Sequence, residues 1–196
     1  MKELYNEYLK FDNFLKMQLL IVFIISFCWS LVIPIVTKLE GLLWSTSLIS
    51  FFMILNKLSV FVSPYLKKLS LKETYKYLVY LDIAYFGSIF LYFIDPLWFL
   101  YFDSILMLIY SVIMNVFGIN YDAFLMKNYN ETIFKDIQYI ERMIMASAGI
   151  FGLIIVIFIG YFFSLNILMI TFSIFLFINV CFQIYNYKTF WKTINV

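Results

Sequence analysis

The chain has 196 residues, 64% of them hydrophobic and 13% charged, with a formal net charge of +2. Apolar runs near the roughly 20 residues that a spanning helix needs take up most of the length, which marks a polytopic membrane protein and leaves no room for a separate soluble domain or for nucleic-acid binding. Histidine is absent, and with it Ser-His hydrolysis, His-ligated haem or zinc, and His-dependent phosphatase chemistry.

Met1 to Lys16 is predicted to be a cytoplasmic interfacial lead-in helix, with Leu4, Tyr8, Phe11 and Leu15 at helical spacing. The apolar run behind it is too long for a signal-peptide core, and no small-residue cleavage site ends it. Span 1 is expected at 17–36, with Ser26 and Ser30 four apart on one face and Pro34 near its end; Lys38, Glu40 and Gly41 then form a short external turn.

Span 2 is expected at 43–66, with Trp44 at its outer end and Pro64 near its inner end. The basic connection Lys67, Lys68, Lys72 and Lys76 follows, and then span 3 at 77–94. Asp95 and Pro96 turn the chain into span 4 at 97–120, which carries Asp103, Met107, Tyr110, Ser111 and Met114 on one face.

The stretch from Tyr121 to Arg142 is the longest polar one. Within it Ile133, Ile137, Ile140 and Ile144, with the Glu131/Lys135 pair, predict that span 5 (143–163) starts as an amphipathic cytoplasmic helix. Ala148 and Gly152, with Gly149 beside them, give span 5 a small-residue face suited to close helix packing. Span 6 is expected at 167–185, with Tyr187, Lys188, Trp191 and Lys192 anchoring a cytoplasmic tail at 188–196. The whole six-span domain covers 17–187. Cys28 and Cys181 fall inside apolar runs, where a disulfide framework is not expected.

An inside N-terminus places 12 of the 14 basic residues on the cytoplasmic side, with Lys38 outside and Lys57 in the membrane. The positive-inside bias therefore puts both termini in the cytoplasm and the chain in the cytoplasmic (inner) membrane.

Three ionisable residues fall inside the spans: Lys57, Asp82 and Asp103. A charge at the centre of a membrane helix costs about 2.5 to 3.5 kcal/mol on insertion scales and normally has a partner or faces a wet cavity. By depth Lys57 lies between the two carboxylates. One expectation is a static Lys57–Asp82 pair that holds helices in register. The other is a charge relay in which Asp82 and Asp103 compete for Lys57 and a proton or solute biases the outcome. Ser26, Ser30, Tyr110 and Ser111 are the candidate cavity-lining residues, and Ala148, Gly149 and Gly152 the candidate packing interface. No clustered carboxylates, nucleophile–base pair or metal-ligand spacing supports catalysis, so neither an enzyme nor a metal or cofactor is expected.

Six spans with both ends inside, a tight basic connection after span 2 and a long amphipathic one after span 4 resemble one six-helix half of a major facilitator superfamily transporter. In SPYLKKLSLK (63–72), at the place of that family's signature loop, the basic character is kept, while Ser63, Lys67 and Ser70 stand where the family has glycine, aspartate and glycine. ASAGIFGLIIVIFIG (146–160) looks like the family's glycine-rich fifth helix. The resemblance implies a fold of the major-facilitator-half type, a transporter acting on a small solute with possible proton coupling, and a homodimer or a second six-span subunit to complete the site. Size and orientation are also those of the solute-binding subunits of energy-coupling-factor transporters, and a non-transport accessory or remnant protein is the third reading.

Overall fold

The computed structural model describes residues 12–66, 68–162 and 164–191. Residues 1–11 of the lead-in helix, Lys67, and 192–196 of the tail lie outside the described residues. Among those described, all regular structure is helical: α1 (Asn13–Leu43), α2 (Thr46–Val62), α3 (Leu71–Ile94), α4 (Pro96–Asn128), α5 (Glu131–Phe162) and α6 (Leu165–Asn186), with a 3₁₀ turn at Ser63–Leu66 and a π turn at Tyr187–Trp191.

Five of the six helices are long and apolar enough to cross a bilayer. The exception, α2, has 17 residues, the low end of the spanning range. Its α-helix gives way at Ser63–Leu66, where Pro64 has no N–H to continue the ladder. At about 1.5 Å per α-helical residue and 2.0 Å per 3₁₀ residue the two pieces together reach roughly 33 Å, enough for a core about 30 Å thick.

The other helices overrun the predicted spans because good helix formers continue past the apolar runs. The clearest case is 121–142, where α4 continues to Asn128 and α5 begins at Glu131, leaving Tyr129 and Asn130 as the whole connection. The Lys135–Glu131 pair forms at 2.6 Å, both side chains exposed, and such a pair adds a few tenths of a kcal/mol. Helix starts follow from local chemistry. Asp12, Ser45, Ser70, Asp95 and Asn130 each accept a backbone N–H of the first turn that follows, satisfying donors that the helix itself cannot. At Ser70 the bond is reciprocal: the Glu73 carboxylate accepts from the Ser70 N–H at 2.8 Å, which completes a capping box.

The chain divides into two compact units, one of residues 1–33 and 123–186 and the other of 34–122 and 187–196. In the first, Phe27 of α1 meets Phe175 of α6 edge-on at 4.6 Å and Phe151 of α5 at 5.9 Å. Phe14 meets Phe124 edge-on at 5.8 Å, and the Tyr129 hydroxyl donates to Asp12 Oδ2 at 2.8 Å. Burial, then that bond and the charge of Asp12, push the Tyr129 hydroxyl well above the usual tyrosine range.

In the second unit Trp44 stacks on Phe52 at 5.1 Å and approaches Tyr101 at 5.3 Å. Tyr75 stacks on Trp191 at 4.9 Å, and Phe117 lies edge-on to Trp191 at 6.1 Å. Trp44 and Trp191 are both buried within the protein, at 7% and 0% exposure. Aromatic rings on the neighbouring helices supply the contacts for that burial. Asn120 donates its side-chain N–H to the Leu69 carbonyl at 2.9 Å, tying α4 to the turn before α3.

Candidate functional site

The inward face of α3 is a stripe at helical spacing: Leu78, Asp82, Tyr85, Ile89 and Tyr92, all buried. Asp82 is 4% exposed and lies one turn ahead of Tyr85. From α4, Asp103 is likewise 4% exposed and accepts a hydrogen bond from the Tyr85 hydroxyl. A bond to a charged acceptor of this kind is worth about 1.5 to 3 kcal/mol and gives a buried carboxylate a donor that lipid cannot supply.

Asp103 also lines a cavity of about 130 Å³ with Glu40, Ser104, Val36, Ile49, Phe52, Met53 and Met107. These residues come from the C-terminal end of α1, the first turns of α2 and the first half of α4, so the cavity lies toward the end of the second unit that carries the α1–α2 and α3–α4 turns. Among the described residues that line it, the polar ones are two carboxylates and one hydroxyl, and none is basic. At roughly 30 Å³ per liquid water the space holds about four waters.

The predicted site residues are dispersed. Asp82 and Asp103 sit on the facing helices α3 and α4, while Lys57 is exposed on α2, and among the described residues no ion pair joins it to either carboxylate. The physical reason is facing: the acids point into the unit, and Lys57 shares a face with the exposed Ile54 and Phe61.

Tyr110 is buried and Ser111 half-buried on α4, neither lining the cavity at Asp103. Ser26 is half-buried, and Ser30 is buried and donates to the Phe27 carbonyl at 2.6 Å, a bond within its own helix. Both belong to the other unit.

The small-residue face of α5 meets α1. A methyl group built on Gly152 would overlap Ser30 Oγ and stand 2.9 Å from Ser30 Cβ and 3.2 Å from the Phe27 carbonyl oxygen. Ala148, four residues earlier, is fully buried, whereas a methyl on Gly149 would meet nothing within 4 Å.

Tyr85, Glu40 and Ser104 were not among the sequence-predicted site residues. Tyr85 was legible as the next position on the Asp82 face; Glu40 was assigned to an external turn, because nothing in its neighbours showed that α1 continues to Leu43. A second polar feature also escaped. On α6, Asn179, Gln183 and Asn186 follow one another at four and three residues and are 1%, 2% and 0% exposed, and Gln18 of α1 is 4% exposed. These amides turn inward, as polar groups in apolar helices do.

No protein-family model matches the chain, and neither a curated protein nor a solved structure shows significant similarity to it.

Proposed function

We propose that this chain is a membrane-embedded, transporter-like subunit that takes up a proton or a small cation at Asp103 and works with a further membrane subunit to complete a translocation path. The observation that carries this reading is the buried Asp103 carboxylate, bonded by Tyr85 and bordering a small cavity whose charged wall residues are both acidic. An ionised carboxylate removed from water is costly until a counter-charge or a proton reaches it. Ser104 and the Tyr85 hydroxyl supply neutral oxygens that suit either occupant. A space of about four waters fits a hydrated ion or a small amine.

In this reading Tyr85 works in both states of the carboxylate. Its hydroxyl donates to ionised Asp103, and its oxygen accepts from the protonated acid. Glu40 adds negative potential at the cavity wall. Orientation by the positive-inside bias puts the cavity toward the outer face of the cytoplasmic membrane.

The test uses the full chain in lipid vesicles and a hydrophobic carbodiimide, which adds to carboxylic acids in their protonated form. Mass spectrometry is expected to find the adduct on Asp103, with labelling that falls as pH rises and is slowed by one member of a series of small cations. Asp103→Asn removes the adduct, and Tyr85→Phe changes its pH dependence. Labelling of Asp103 that ignored both pH and every cation would sink the reading.

A further inference from the structure

Lys57 has no role in the Asp103 cavity. It lies roughly 16 Å along α2 from Thr46, at about 1.5 Å per residue, with the rest of α2 and the 3₁₀ turn beyond it. That is near the middle of the span and deeper than a lysine stem reaches to either interface. It is exposed, and Ile54 and Phe61, one turn to either side on the same face, are 60% and 72% exposed. An ammonium group on a lipid-facing apolar stripe calls for a counter-charge at the same depth.

Among the described residues the chain supplies none. Asp82 and Asp103, its carboxylates at membrane depth, are each 4% exposed, and Asp103 already accepts from Tyr85. For the same reason a second copy presents no acid at this height among its described residues. We propose that the Ile54–Lys57–Phe61 face of α2 docks a transmembrane helix of a different membrane protein that carries Asp or Glu near mid-span. The apolar neighbours give that helix its packing surface, and the charge pair sets partner and register.

The probe is a synthetic leucine-rich transmembrane peptide with one central Asp, compared with its Asn counterpart. Association with the fluorescently labelled full chain is read by energy transfer in vesicles. The expected result is that the Asp peptide binds about three- to fifteenfold more tightly than the Asn peptide, the range measured for polar contacts between membrane helices. Lys57→Met should abolish the preference, and Lys57→Arg, which keeps the charge, should retain it. Equal binding of the two peptides, or a preference that survives Lys57→Met, overturns the proposal. Self-association of the chain that is lost in Lys57→Met also overturns it, since the occupant would then be a second copy.

Discussion

The contact between Gly152 and Ser30 shows how one missing side chain sets the distance between two helices. Ser30 keeps its hydroxyl bonded to the Phe27 carbonyl, so it costs little in an apolar setting and still leaves a small surface for α5 to approach. Any side chain at Gly152 must push into Ser30 or the α1 backbone. Gly152→Leu is therefore expected to destabilise the protein by about 1 to 3 kcal/mol, the usual range for overpacking, read as a lower thermal midpoint in detergent. Gly152→Ala should show a smaller loss that Ser30→Ala partly restores, whereas Gly149→Ala, with open space around it, should be neutral. If Gly149→Ala and Gly152→Ala had equal effects, the close approach would be wrong.

At the scale of the helix, most boundaries are set by side chains that a sequence displays openly. The cap residues Asp12, Ser45, Ser70, Asp95 and Asn130 precede their helices by rules that need no tertiary structure. The capping box of α3 has a readable pH dependence. Bonds from the Ser70 N–H and hydroxyl hold the Glu73 carboxyl below its ordinary value of 4.5. A folded-state value lowered in this way means stability that is fully present above the unfolded value and lost as pH falls through the folded one. Helix content in detergent should thus be constant from neutral pH to about 4.5 and fall below it, less so in Glu73→Gln. Ser70→Ala should cost about 1 kcal/mol at neutral pH. A Glu73→Gln variant with an unchanged acid profile would remove Glu73 from this account. What the sequence concealed was the direction in which each helix faces. Asp82, Tyr85 and Asp103 turn inward and Lys57 outward, although all four sit in equally apolar runs. Periodicity reveals a face only when polar and apolar residues alternate, and in lipid both faces are apolar.

For the molecule as a whole, the all-helical architecture and the apolar helices were legible from the apolar runs, and so were the turns at Asp95 and between α5 and α6, whereas α1 and α4 run on through residues whose polarity suggested a turn. The site was legible in part: Asp103 was singled out by its cost in lipid, but its partner Tyr85 and its neighbour Glu40 depend on how helices meet. Orientation rests on the distribution of lysine and is open to direct test. In sealed right-side-out vesicles of a variant without Cys28 and Cys181, a cysteine at Asp95 should react with an impermeant thiol reagent from outside. One at Lys68 should react only after the membrane is opened, and the reverse pattern would invert the topology. The two compact units also differ in how the chain composes them. Apart from the terminal turn, the second unit is one continuous segment, 34–122, whereas the first joins residues up to 33 with residues from 123 onward. During synthesis at about 5 to 20 residues per second, the part of α1 up to residue 33, with Gln18 and the Ser30 face, waits roughly 8 to 30 s for α5 and α6 to emerge. The hydroxyl and amide of the newborn helix must be tolerated by lipid or by the insertion machinery for that interval, which makes biogenesis, more than the finished fold, the stage most exposed to a further polar residue in α1.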